Sequence, residues 1–342
     1  MEDPRDAIPL LEELIYTAFE GRPGSVHLHI PKDITIAEVP YYRPIDISVP
    51  KILAGKSQTE EFCKGFVENF KTENKPLLMV GYGCIRSDAK DVPEKLISTW
   101  QIPFVSTMDA KGYISEDNPL SPGIVGTSGD VVANDYFHES KTVLAVGNSF
   151  AENATFTFNP WLFDGKKLLH VNIDRHEIDK VYTADYRLVS DARPAPENLV
   201  AYLEKNSVAP LGSGLAVRNK HHDEILLEFS NGKMHPGFLV QQISKQLTEN
   251  AIIMGDAGGH MLCSCGDGDY LMAGFELLTC VKNNIPVIYV IFNNGEFNVI
   301  KKFLLSNFGE ALKLNKPCII DAIVDGDVYP PIEHFRRSYR LY

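Results

Sequence analysis

The sequence predicts an α/β protein built of Rossmann-like parallel sheets flanked by helices. Three observations carry this. Short apolar runs such as Pro76–Gly81 (PLLMVG), Thr142–Val146 (TVLAV) and Pro286–Phe292 (PVIYVIF) read as strands buried on both faces. Segments of helical period, such as Thr59–Phe70, lie between them. Glycines close several of the runs, which suits turns beyond the carboxyl ends of the strands of a doubly covered sheet.

The elements fall into three regions. In residues 1–50, Ile8–Ala18 reads as an amphipathic helix with Leu10, Leu11, Leu14 and Ile15 on one face. Gly21-Arg-Pro-Gly24 ends it. Ser25–Ile30 alternates as a short strand, and the Pro-rich Ile34–Pro50 reads as a linker. In residues 51–205, Thr59–Phe70 is the first helix. Pro76–Gly81, Pro103–Thr107, Thr142–Val146 and Lys167–Ile173 are the strands of one parallel sheet. In residues 206–342, a helix over Phe238–Leu247 is followed by strands at Ala251–Met254, Pro286–Phe292 and Pro317–Val324. No internal repeat or low-complexity segment interrupts this order.

Composition narrows the function. The 342 residues allow two or three domains, and a 44% hydrophobic content supports a sizeable core. A net charge of −12 argues against a sequence-independent nucleic-acid binder and suits a protein that handles small molecules. No apolar run approaches a membrane span, and the acidic N-terminus (MEDPRDAIPLLEEL) lacks the basic start of a signal peptide. Six scattered cysteines, Cys63, Cys84, Cys263, Cys265, Cys280 and Cys318, point to a reducing, cytoplasmic setting. Cys263 and Cys265 lack a second Cys/His pair that would complete a zinc site, and they read as buried small residues at a strand end.

The segment from Cys265 to Asn294 is the most informative. It opens on Gly266-Asp-Gly268 and closes on Asn293-Asn294. Between them Asp269–Lys282 carries Leu271, Phe275, Leu278 and Val281 at helical spacing, and Pro286–Phe292 follows as a buried strand. With the short apolar LCSC before Gly266, this is a strand–helix–strand unit. Such a unit sets Asp267 and Asn294 just past the carboxyl ends of two parallel strands, the ligand crevice of an open α/β sheet. A carboxylate and an amide oxygen suit Mg²⁺, which takes its remaining ligands from phosphate and water. The flanking glycines admit a diphosphate, and Asp269 begins a helix, where anions are stabilised. A plain βαβ unit with turn-forming Gly, Asp and Asn fits this geometry as well.

Several segments together resemble one family. The GDG…NN pattern is similar to the cofactor motif of thiamine diphosphate-dependent enzymes. GRPGSVHLHIPKDI (Gly21–Ile34) resembles the segment that closes the pyrimidine-binding domain in their acetolactate synthase and pyruvate oxidase branch. DAKGYISEDNPLSPGIVG (Asp109–Gly126) and LLHVNIDRHEI (Leu168–Ile178) resemble that branch's central domain. HPGFLVQQI and IIMGDAGGHM resemble the start of its diphosphate-binding domain.

The resemblance implies the thiamine diphosphate-binding fold plus a central domain. Residues 1–50 would be the end of the pyrimidine-binding domain and a linker. Residues 51–205 would be the central Rossmann-like domain, and residues 206–342 an incomplete diphosphate-binding domain. Asp267 and Asn294 would bind Mg²⁺ through side-chain oxygens, with Glu296 adding a backbone carbonyl. Gly266, Gly268 and Asp269 would lie against the diphosphate of thiamine diphosphate, with Gly258, Gly259 and His260 touching it from the preceding turn. His260 equally reads as an ordinary loop residue. The implied activity is decarboxylation of a 2-oxo acid such as pyruvate with carboligation to a second carbonyl compound. The alternatives are simple decarboxylation or aldehyde lysis, or a non-catalytic subunit with a decayed site. A homodimer or homotetramer is implied, with no nucleic-acid or membrane partner. FAD in the central domain is possible but not favoured; its candidate contacts are Gly81-Tyr-Gly83, Gly147-Asn148 and Asp174-Arg175.

The sequence departs from the family at three places. The activating glutamate of the pyrimidine-binding domain has no counterpart, so the catalytic residue is unassigned. Glu12, Glu13 and Glu20 read as the solvated face of the first helix. Relatives also carry further residues between His260 and Cys265 and between Phe303 and Phe308. Either the gene product is shortened, or these residues are ordered segments of a longer protein; the second is the expectation.

Overall fold

The computed structural model describes residues 3–38, 52–211, 229–230, 233–234, 236–247, 264–266, 282, 288–293 and 318–323. The chain divides into two compact units, Met1–Asn219 and Lys220–Tyr342.

In the first unit the N-terminal helix α1 spans Ala7–Phe19, and a single turn, α2, spans Lys32–Thr35. The sheet domain follows in the order α3 (Lys56–Asn69), β1 (Pro76–Val80), α4 (Tyr82–Arg86), α5 (Asp91–Trp100), β2 (Phe104–Ser106), β3 (Gly123–Ile124), α6 (Val131–Glu139), β4 (Thr142–Val146), β5 (Lys167–Asn172), β6 (Tyr186–Val189) and α7 (Pro194–Lys205). Its six strands are all parallel, in the order β3-β2-β1-β4-β5-β6. The order reverses between β1 and β4, so the topological switch point lies there.

Alternation along the strands divides the core in two. Leu78, Val80, Leu144, Val146, Leu169 and Val171 face Phe62 and Phe66 of α3, Leu96, Ile97 and Trp100 of α5, and Leu199 and Leu203 of α7. Leu77, Met79, Val143, Ala145 and Leu168 face Ala133 and Phe137 of α6 together with Phe150 and Tyr182, from the loops after β4 and β5. Every residue of β1 and β4 is buried, which is why both read as unbroken apolar runs. The α/β prediction holds, and β4 has the predicted bounds.

Some elements differ from expectation. Ser25–Ile30 joins no sheet among the described residues. Its Val26 and Ile30 are each 40% exposed, and alternation without a partner ladder does not make a strand. A helical turn at Lys32–Thr35, after Pro31 as N-cap, runs into the start of the predicted linker; residues 39–51 lie outside the described residues.

The second unit contains a two-residue antiparallel pair, β7 (Phe229–Ser230) with β8 (Lys233–Met234), and then α8 (Pro236–Ser244). Leu239 and Ile243, one helical turn apart, are buried. A parallel sheet joins β9 (Ser264–Gly266), β10 (Ile288–Asn293) and β11 (Cys318–Ile323) in the order β11-β10-β9. The expected strand at Ala251–Met254 and the helix over Asp269–Lys282 fall outside the described residues, apart from Lys282.

Candidate functional site

The second unit brings two strand ends together. β9 and β10 run parallel, with Ser264 opposite Val290 and Gly266 opposite Phe292. β9 therefore ends at Gly266 and β10 at Asn293 within one residue of each other on the same sheet edge. In the chain Asp267 follows directly on the first end and Asn294 on the second. Of the residues singled out from the sequence, Gly266 is placed, as the last residue of β9. Gly258, Gly259, His260, Asp267, Gly268, Asp269, Asn294 and Glu296 lie outside the described residues. The donor set that the sequence offers here, one carboxylate and one amide oxygen beside glycines, has the hard-oxygen chemistry that suits Mg²⁺.

In the first unit the switch point lies between β1 and β4. Gly81 follows β1 and Gly147 follows β4, and the two turns meet backbone to backbone. The amide of Gly83 donates to the carbonyl of Gly147 at 2.9 Å. A Cβ on Gly81 would lie 2.4 Å from the Gly147 oxygen, and one on Gly83 2.7 Å from the Gly147 Cα. Gly147 also holds a left-handed φ of 62°. These glycines are explained by the contact between the two turns, whether or not a nucleotide binds.

Beside this contact lies a polar nest that the sequence does not announce. The carbonyl of Asn148 accepts from His170 Nε2 at 2.8 Å and from Asn172 Nδ2 at 2.9 Å. The Asn148 side-chain oxygen accepts the amide of Phe150 at 2.6 Å. Burial drives the His170 pKa below its usual value, against the hydrogen bond to Asn148 and the charges of Asp179 and Glu177. A neutral ring that donates from Nε2 leaves Nδ1 as the acceptor; Nδ1, like Asn148 Nδ2, is buried without a protein partner. Of the remaining FAD candidates, Asp174 spends a carboxylate oxygen on the amide of His176 at 2.8 Å, an Asx turn. The one hint of the nest in the sequence is a histidine inside the otherwise apolar LLHV.

Thiolate chemistry is absent from the sheet domain's placed cysteines. Burial raises Cys63 to about 11 and Cys84 to about 12, so both stay protonated. Among the described residues no group of three or more His, Cys, Asp or Glu side chains could hold a metal ion. No helix among them is long and apolar enough to cross a membrane.

Comparison with known proteins agrees with this architecture. Residues 64–199 match the central domain of thiamine pyrophosphate enzymes, and residues 250–322 match the C-terminal TPP-binding domain of the same enzymes. The first match spans the six-stranded sheet, and the second spans β9, β10 and most of β11. The chain belongs to the thiamine pyrophosphate enzyme family. It is 23% identical over 348 residues to an acetolactate synthase of Mycobacterium bovis, covering 87% of this chain and 56% of that protein. It is 24% identical over 356 residues to an acetolactate synthase large subunit of Corynebacterium glutamicum, covering 88% of this chain and 56% of the relative. It is 27% identical over 277 residues to the large subunit of Cyanidium caldarium, covering 77% of this chain and 46% of the relative. The chain thus spans about half the length of these relatives. An alignment of 348 residues that uses 87% of a 342-residue chain must also include stretches of the relative with no counterpart here.

Proposed function

We propose that this chain works as a thiamine diphosphate- and Mg²⁺-dependent decarboxylase and carboligase, similar to acetolactate synthase, acting on a 2-oxo acid such as pyruvate. The observation that carries the reading is the register of β9 and β10, which ends the two strands on one sheet edge directly before Asp267 and Asn294. Asp267 and Asn294 would give side-chain oxygens to Mg²⁺ and Glu296 its backbone carbonyl. Gly266, Gly268 and Asp269 would lie against the diphosphate, with Gly258, Gly259 and His260 on its other side. When bound, thiamine diphosphate supplies the electron sink for decarboxylation, and the protein positions it.

The domain reading that goes with this assigns residues 1–50 to the end of a pyrimidine-binding domain and its linker. It assigns 51–205 to the central domain and 206–342 to the diphosphate-binding domain. The active form in this reading is a cytoplasmic homodimer or homotetramer. FAD is not favoured, because Gly81, Gly83 and Gly147 are explained by the contact of their own turns; flavin absorbance in the purified protein would reverse that.

The test is a titration of intrinsic fluorescence with thiamine diphosphate, with and without Mg²⁺, followed by a pyruvate-consumption assay and by intact mass. Saturable, Mg²⁺-dependent binding with turnover is the expected result. A second reading rests on the stretches of the relatives that find no counterpart here: a non-catalytic subunit with a decayed site. Binding without turnover, at a mass of 38.2 kDa, would favour that reading, and no binding at all would remove the enzymatic one.

A further inference from the structure

The N-terminal arm, residues 3–38, does not share the core of the sheet domain. Helix α1 buries none of its residues. Among the described residues, none before Ala54 belongs to either apolar cluster of the sheet or packs against one. A charged contact joins the arm to the sheet domain. After α1 the chain turns at Gly21, whose φ is 63°, and the amide of Gly24 closes back on the carbonyl of Ala18 at 2.9 Å. This turn presents Arg22, whose Nη1 donates to Glu177 Oε1 at 2.9 Å, 155 positions away in the chain.

Glu177 is an unusual counter-ion. Its side chain is 7% exposed, whereas those of Arg22 and Lys180 are 55% and 57% exposed. The turn after β5 fixes it: the amide of Asp174 donates to Asn172 Oδ1 at 2.9 Å, and the amide of Glu177 to the carbonyl of Asp174 at 3.1 Å. Both cations share one oxygen, because Lys180 Nζ also donates to Oε1 at 2.9 Å. Oε2 is buried without a protein partner. A nearly buried carboxylate with one oxygen unmatched depends strongly on the cations at the other. Lys180 belongs to the same loop as Glu177 and cannot tie the arm to anything. Arg22 comes from the arm and does.

We propose that Arg22 and Glu177 form a latch that straps the N-terminal arm to the carboxyl edge of β5, so that the arm can open without unfolding the sheet. An element attached outside the core opens at a lower free energy than the core itself. The prediction is read by hydrogen exchange on the full-length protein, with chymotryptic cleavage at Tyr16 and Phe19 as a second measure. Arg22→Met should speed exchange of the amides in residues 7–24, and cleavage at those two sites, by roughly tenfold or more, the loss expected for a charge-assisted contact. Amides of β1, β4 and β5 should keep their native protection. Arg22→Lys should recover part of the arm's protection, and Lys180→Met should change it far less than Arg22→Met. Since Arg22 and Lys180 are both more than half exposed, these variants leave the sheet core intact. Native arm exchange in Arg22→Met, equal effects of Arg22→Met and Lys180→Met, or equal opening of arm and strands would each overturn the latch.

Discussion

At the scale of single residues, His170 illustrates how burial sets chemistry. It sits on β5 in register with Ala145 of β4, held by the Asn148 carbonyl and packed against the Phe150 ring at 4.8 Å between centroids. Because burial lowers its folded pKa below the usual 6.5, the unfolded chain takes up this proton first on acidification. The stability it contributes is therefore complete above about 6.5. It is lost as pH falls from there through the lower folded value. Unfolding free energies from urea titrations across this range should fall with acid by up to one proton's worth of slope, about 1.4 kcal/mol per pH unit. His170→Gln should flatten that fall while retaining a donor for Asn148. An unchanged slope in the variant would mean that another group carries the acid sensitivity. The nest escapes a reading of the sequence because Asn148 acts through its backbone carbonyl, which its residue type does not report. The GDG and NN pattern, by contrast, shows in its residue types: a carboxylate and an amide oxygen suit a hard cation, but turn-forming Gly, Asp and Asn of a plain βαβ unit read the same way, and only the resemblance to the family separates the two.

At the scale of elements, close approach decides which strands and helices fit together. Gly65, inside α3, lies under the ring of Tyr186 on β6; a Cβ there would come within 2.2 Å of the ring. Helix interiors normally disfavour glycine by about 1 kcal/mol against alanine, so its presence reflects this contact. Gly65→Ala should destabilise the sheet domain by roughly 1–3 kcal/mol despite the better helix propensity. In a Tyr186→Ala background the same change should be neutral or stabilising, a non-additivity that denaturant midpoints of the four proteins would measure. Additive effects would show that the ring moves aside at no cost. Elements of this sheet were readable in proportion to their burial. β1 and β4 read as apolar runs because helices cover both faces, and so does the body of β5 apart from His170. β3 is two residues long, and β6 is an edge strand with an exposed Arg187 paired to Asp179, so neither carries the apolar signal. Ser25–Ile30 carries an alternating signal but has no partner ladder among the described residues, and periodicity cannot supply one.

At the scale of the whole molecule, the acidic balance and the metal reading bear on each other. The chain carries a net charge of −12, and the cofactor that it is proposed to bind is itself an anion. Asp267 would set a further negative charge beside the diphosphate. A divalent cation between the two turns that repulsion into attraction, so binding should be coupled to the metal rather than merely assisted by it. A ligand that binds only the folded state stabilises it by about 2.7 kcal/mol at a hundredfold excess over Kd. Thiamine diphosphate with Mg²⁺ should therefore raise the thermal midpoint by several degrees. Thiamine diphosphate with EDTA should raise it little, and Mg²⁺ alone little, since the site's remaining ligands come from the diphosphate. Asp267→Ala should abolish the joint shift, and the midpoint of the variant without ligand, measured alongside, separates that loss from a change in the stability of the chain itself. An undiminished shift in EDTA would show that the cofactor binds without metal. An undiminished shift in Asp267→Ala would place the metal on other residues and dissolve the role assigned to the ends of β9 and β10.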